Sequence, residues 1–209
     1  MFVDPRELDR YSPGFKRRES GTVQSGDWDL AAIDIDCNRW VAACIAHWRD
    51  GIPWDETGII RHDTHLAETR GYNRCRNRKD VIARYELLDE IFERVKAEGR
   101  LRTAYELGVS RREDRERDGV CVHFGRHGEP IFGGFGNHRL GMALTLGLTR
   151  IPACLGVVHV EARDRILGEL PVAINGSRNR NRTPLRNRAW ASAILRPAGR
   201  RRAVSEAGG

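Results

Sequence analysis

The segment from Val120 to Val160 constrains this chain more than any other. Val120-Cys121-Val122-His123-Phe124 is a compact apolar run and Glu129 to Phe132 a second, with the turn Gly125-Arg126-His127-Gly128 between them. That pattern predicts a β-hairpin. Gly133-Gly134-Phe135-Gly136 follows, and His138 to Leu146 then carries Leu140, Ala143 and Leu144 at helical spacing up to Gly147. Ile151 to Val160 is again apolar and β-branched, with Pro152 near its start, where a missing amide is tolerated. The order is strand, strand, glycine turn, helix, strand. Three glycines directly before a helix allow positive φ and close approach of a ligand to the backbone. The helix start leaves amides unpaired and carries partial positive charge, so an anion suits it. Arg139 adds a forked, permanently charged donor and His138 a donor or proton-transfer group. The expected phosphate-binding residues are therefore Gly134, Gly136, Asn137, His138 and Arg139.

The preceding chain is mostly helical in pattern. Met1 to Val3 reads as a short strand and Asp4 to Leu8 as a turn with Pro5 near its start. Tyr11 to Asp29 is rich in Gly, Ser and charge and reads as a loop. Asp36 to Asp50 places Trp40, Val41, Cys44, Ile45 and Trp48 on one helical face, stopped by Gly51. A weaker helical stretch runs to about Glu68, and Gly71 to Arg78 is a basic loop. Lys79 to Glu98 has the clearest periodicity, with Ile82, Tyr85, Leu88, Ile91, Phe92 and Val95 in one stripe, and Gly99 closes it. Arg102 to Leu107 suggests a further short helix, Ser110 to Asp118 a loop, and Glu161 to Leu170 a helix.

Charge is unevenly placed. From Gly176 to Gly209 there are nine arginines and one acid, whereas residues 1–175 hold 27 basic and 28 acidic groups. The net charge of +7 is thus a property of the C-terminal tail, which is expected to be largely disordered. Such a tail can bind nucleic acid non-specifically by counterion release. A short helix at Ala189 to Leu195 is compatible with the pattern. No apolar run approaches a membrane span, no secretory signal is evident at Met1 to Arg6, and the five scattered cysteines lack a C-x-x-C pair. Reduced thiols, a cytoplasmic location and no membrane partner are the expectations.

The segment Gly125 to Ala153, with Gly136-Asn137-His138-Arg139 opening a helix and Leu146-Gly147 leading to Ile151-Pro152, resembles the core of the ParB/sulfiredoxin-like superfamily. The likeness extends to a ParB-like subgroup through Val3-Asp4-Pro5, Gly26-Asp27-Trp28-Asp29, Pro53-Trp54-Asp55-Glu56-Thr57 and His159, covering about residues 2–160. It implies an α/β fold: a small mixed sheet with helices and a large helical insertion at about 34–108, within a domain of residues 1–170 followed by the tail at 171–209. It implies Gly136, His138 and Arg139 as contacts to nucleotide phosphates, with ATP, ADP or CTP and Mg²⁺ as cofactors. Sulfiredoxins carry their catalytic cysteine where Asn137 stands here, so their reduction chemistry is not expected. Only about fifty residues follow Val160, so a complete partition module is not expected either.

Two function classes follow. One is a nucleotide-binding protein, with phosphoryl transfer or hydrolysis as its reaction. The other is a nucleic-acid-binding or nuclease module that uses the same phosphate site and the basic tail. Asp27, Asp29 and His138 are the catalytic candidates. Asp27 and Asp29 flank Trp28, so both carboxylates either hold Mg²⁺ beside a phosphate or cap a turn around a core tryptophan. Trp54 reads as packed at a helix start. His62 and His65 with Asp63, and His123 with His127, lack the partners of a metal site and read as solvated or capping histidines, so no protein-built metal site is expected. His159 reads as a cleft residue or a structural histidine.

Overall fold

A computed structural model of the protein describes residues 1–108 and 119–169. The expected tail, the Ala189 to Leu195 helix and the Ser110 to Asp118 loop lie outside the described residues. The rest is a mixed α/β structure with one mixed sheet and five α-helices. The strands are β1 (Phe2–Val3), β2 (Arg10–Tyr11), β3 (Val23–Gln24), β4 (Ile33–Asp34), β5 (Val120–Phe124), β6 (Pro130–Phe132) and β7 (Ile151–His159). The helices are α1 (Arg39–Trp48), α2 (Ile59–Arg70), α3 (Arg78–Glu98), α4 (Asn137–Thr145) and α5 (Arg163–Glu169).

The sheet runs in the order β1-β7-β5-β6-β2-β4, and β3 pairs with β7. β5 and β6 form the expected antiparallel hairpin, with Val122 opposite Phe132 and Phe124 opposite Pro130. β5 and β7 are parallel, with Cys121 opposite Cys154, so the chain must cross over between them. It does so through β6 and α4. β5 and β7 are buried along nearly their whole lengths, as inner strands covered on both faces should be. Side chains alternate along β5. Val120 and Val122 join the main core with the helices. Cys121 and His123 face the other way, where Phe15 and Trp28 pack against His123 at 5.2 and 5.9 Å between ring centres.

Helices α1 to α3 lie between β4 and β5 in sequence. α1 is capped by Asn38, whose side chain accepts from the Val41 amide at 3.1 Å. In α3 the cap is reciprocal in effect: Asn77 accepts from the Asp80 amide, and Asp80 accepts from the Arg76 amide. Gly99 ends α3 in the left-handed region at φ 64°. Its buried line keeps Tyr85, Leu88, Phe92 and Val95 of the expected stripe and adds Val81, with Ile82 and Ile91 at the margin. Each such side chain contributes about 1.5–3 kcal/mol by burial.

Two carboxylates that periodicity does not reveal organise the insertion. Asp63, fully buried, accepts from Trp40 Nε1, Tyr85 Oη and His62 Nδ1 at 3.1, 2.9 and 3.1 Å. Asp89 accepts from Trp48 and Trp54 indoles at 2.8 and 3.0 Å. Trp54 is packed as expected, stacked on His47 and edge-on to Tyr85. Two expectations are corrected. Residues 11–29 are not a plain loop, because Tyr11 pairs with Phe132 and Val23 with Val158. Two-residue strands have no period to read, and their partners are more than a hundred residues away. Arg102 to Leu107 forms turns rather than a helix, with Glu106 tied to the Thr103 amide and to Arg100. Among the described residues no helix is long and apolar enough to cross a membrane.

Candidate functional site

The glycine turn is laid along β5 by two backbone bonds, Gly133 N to Cys121 O at 2.8 Å and Cys121 N to Phe135 O at 3.0 Å. Gly134 and Gly136 both take positive φ, 79° and 88°. A Cβ on Gly136 would stand 2.8 Å from Gly119 O and 2.9 Å from Val120 Cα, so the helix start is pressed against the beginning of β5. α4 begins at Asn137 with no side-chain cap on its first-turn amides, which leaves them directed at whatever approaches that end.

The side chains of the Gly-Asn-His-Arg block diverge. Asn137 latches the turn to the insertion: its Nδ2 donates to Gly134 O at 3.3 Å and its Oδ1 accepts from Asn38 Nδ2 at 3.0 Å. His138 turns toward α3, edge-on to Tyr85 at 5.8 Å. Its Nε2 is buried with no hydrogen-bond partner among the described residues. Burial, helped by the Arg84 cation, pushes its pKa down to about 3. It is therefore a neutral ring held in packing. Arg139 donates through Nη2 to Arg102 O at 2.5 Å. It also lines a cavity of about 240 Å³ with Thr103, Tyr105, Gly119, Ala153 and Cys154. A larger cavity of about 450 Å³, bordered by Arg100, Glu106 and Arg150, shares Phe2 and Thr103 with it. Tyr11 and Arg17 also reach the turn, the first beside Gly134 and the second 4.7 Å above the Phe135 ring. Neither carried a signal in the sequence, since both sit in the supposed loop.

Asp27 and Asp29 are elsewhere. Both bind Arg126, in the turn after β5. Asp29 Oδ2 accepts from Arg126 N and Nε at 2.9 Å, and Oδ1 accepts from Nη2 at 2.9 Å. The exposed Asp27 adds a bond to Nη2 at 2.7 Å. Gly136 sits at the opposite end of β5, and four strand steps alone span about 13 Å. The structure thus brings Gly136, Asn137 and Arg139 together and does not bring Asp27 and Asp29 to them. The guanidinium bonds hold the Asp29 carboxyl well below its ordinary range, against the opposing effect of burial. Replacing Asp29 with Ala removes two bonds from a charged guanidinium and one from a backbone amide. Allowing for screening of the guanidinium by solvent, it is expected to cost about 2 kcal/mol. Chemical denaturation at pH 7 reads this directly. Because the folded pKa is depressed, the contribution is complete above about pH 4 and fades as pH falls below it. Asp29→Asn should therefore lose stability at pH 7 and show a flatter profile below pH 4.

The histidines expected to be solvated or capping are partly otherwise. His123 is buried, its Nδ1 accepting from the Val157 amide at 2.8 Å, and desolvation pushes its pKa down to about 4. His159 is also buried. Its Nδ1 accepts from Glu161 N, so Nε2 carries the hydrogen and donates to Gly26 O at 3.0 Å, and Trp28 packs beside it. Trp28 is thus the anchor of a core around two buried histidines. Among the described residues no three His, Cys, Asp or Glu side chains are placed to hold a metal. Compared with known proteins, the chain matches no family model, no curated protein and no solved structure.

Proposed function

We propose that this chain has a ParB/sulfiredoxin-like fold and binds a nucleotide, with its phosphates on the first turn of α4. One observation carries the reading: α4 starts uncapped at a glycine pressed onto β5, and Arg139 from the same turn lines the adjoining cavity. The cavity takes Arg139 from that turn and Gly119, which Gly136 is pressed against, so a helix start and a guanidinium adjoin it, the two features that phosphate binding uses. A cavity of about 240 Å³ holds a phosphate group but falls short of the ~300 Å³ at which small-molecule sites begin. The neighbouring 450 Å³ cavity, with Arg100 and Arg150, supplies room for the sugar and base.

Binding is better supported than hydrolysis. Among the described residues lining the two cavities the one acid is Glu106, whose oxygens are occupied by Arg100 and Thr103. Mg²⁺, the ion expected with such a ligand, would be held mainly by the nucleotide's own oxygens. A polynucleotide backbone offers the same phosphate chemistry, and the test separates the two.

Thermal shift with ATP, ADP and CTP, with and without Mg²⁺, should show at least one nucleotide stabilising the wild type. At a hundredfold excess over Kd the gain is about 2.7 kcal/mol. Arg139→Ala should lose most of it and Arg139→Lys should keep part. Equal shifts in wild type and Arg139→Ala, or none, would sink the proposal. DNA binding that survives removal of residues 176–209 and disappears with Arg139→Ala would replace the nucleotide by a polynucleotide.

A further inference from the structure

The five cysteines look scattered in sequence, but two of them meet. Cys121 and Cys154 are directly opposite on the parallel strands β5 and β7. Neighbouring strands are about 4.8 Å apart, inside the ~4.4–6.8 Å range of Cα separations that a disulfide spans. Directly opposed residues point to the same face of a sheet, and here three glycines clear that face. A Cβ on Gly119 would stand 3.3 Å from Cys154 Sγ, and one on Gly133 or Gly156 would stand 2.8 or 2.9 Å from Cys121 Sγ. In the structure both stand as free thiols.

The pair is asymmetric. Cys121 is fully buried, whereas Cys154 is half-buried and lines the 240 Å³ cavity beside Arg139. The proximity of the two sulfurs raises the pKa of the buried Cys121 and lowers that of Cys154, with Arg17 adding to the lowering. Burial instead pushes Cys44 and Cys75 up. In its protonated form Cys154 donates to Val120 O at 3.6 Å, a weak bond that is lost on ionisation. A nucleophilic thiol with solvent access next to a protonated, sheltered one is the arrangement that two-step thiol oxidation needs.

We propose that Cys154 and Cys121 form a peroxide-sensitive dithiol: Cys154, reached through the cavity, is oxidised by a small hydroperoxide, and Cys121 closes an intrachain disulfide. In the first step the Cys154 sulfur attacks one peroxide oxygen and the O–O bond breaks. The sulfur becomes a sulfenic acid, losing two electrons, and the peroxide leaves as an alcohol or water after taking up a proton. In the second step the Cys121 sulfur attacks Cys154. The S–S bond forms, the S–O bond breaks, and the hydroxyl leaves as water with the proton from Cys121. The balance is one hydroperoxide and two thiols giving one disulfide, one alcohol (or water) and one water. This inference does not rest on the nucleotide reading.

The test is peptide mapping of the full chain after stoichiometric hydrogen peroxide and blocking of remaining thiols. Trypsin cuts after Arg126, Arg139 and Arg150 and so separates the two cysteines. The expected product is one linked pair of peptides carrying Cys121 and Cys154, dissociated by dithiothreitol. Cys121→Ser should instead leave a dimedone-reactive sulfenic acid on Cys154. Cys154→Ser should abolish both the link and the dimedone adduct. If Cys121 and Cys154 stay fully alkylatable in the wild type while the exposed Cys37 gains oxygen, or if the link joins other cysteines, the proposal is overturned. The wild-type result decides alone should either variant fail to fold.

Discussion

Acidification from pH 7 to pH 5 is expected to cost this protein up to about 4 kcal/mol of stability, through two buried histidines. His123 and His138 have their pKa values pushed down to about 4 and about 3, mainly by burial. In the unfolded chain both titrate near the ordinary value of about 6.5. Between that value and the folded ones, the unfolded state takes up protons that the folded state refuses, so stability falls as pH falls. Each histidine contributes up to about 1.4 kcal/mol per pH unit, and the loss levels off only near the folded pKa values. For His123, protonation at Nδ1 would also break the bond from Val157 N. Urea unfolding across this pH range measures the effect. His123→Gln and His138→Gln should each remove about half the slope, whatever they do to stability at pH 8. A flat wild-type profile would mean that solvent reaches both rings. The Asp29–Arg126 pair does not confuse the measurement, because its own contribution changes only below about pH 4.

The second large effect is expected at Gly136. Its φ of 88° is one that L-residues avoid, at about 1–2 kcal/mol. The Cβ of an alanine would also meet Gly119 O and Val120 Cα, backbone atoms that cannot swing aside. Overpacking of this kind costs about 1–3 kcal/mol. Gly136→Ala should therefore lose about 3 kcal/mol or more, with α4 displaced from β5. Gly147→Ala is the control: its φ of 63° is also positive, but nothing lies within 4 Å of the added carbon. It should lose only the backbone part. Equal losses at both positions would show that the close approach of α4 to β5 contributes nothing beyond conformation. A nucleotide-binding measurement on Gly136→Ala should fall with stability, since the same displacement moves the first-turn amides.

What could be read from sequence alone was whatever repeats with a short period or is signalled by one residue type. The α3 stripe, the β5–β6 hairpin, the α4 start at its glycines and the apolar β7 all belong to this class, because local propensity and burial agree there. Only the edge of the α3 stripe differs, with Val81 buried and Ile82 at the margin, since both satisfy the same pattern and only contact with neighbouring helices chooses between them. The expectation of a phosphate site rests on the same local logic at Gly136 and Arg139.

Long-range contacts decided the rest. Asp27 and Asp29 have the spacing of a paired acidic site, yet Arg126, about a hundred residues later, takes both carboxylates at the far end of β5. His138 stands next to Arg139 in sequence, but one helical step of about 100° turns it from the cavity toward Tyr85. Cys121 and Cys154 have no shared motif, and only the parallel register of β5 and β7 makes them neighbours. The sequence determined which backbone turns and which faces are apolar, because those depend on adjacent residues. Which polar groups share a site depends on strand register and helix rotation, and the packed tertiary structure alone sets these.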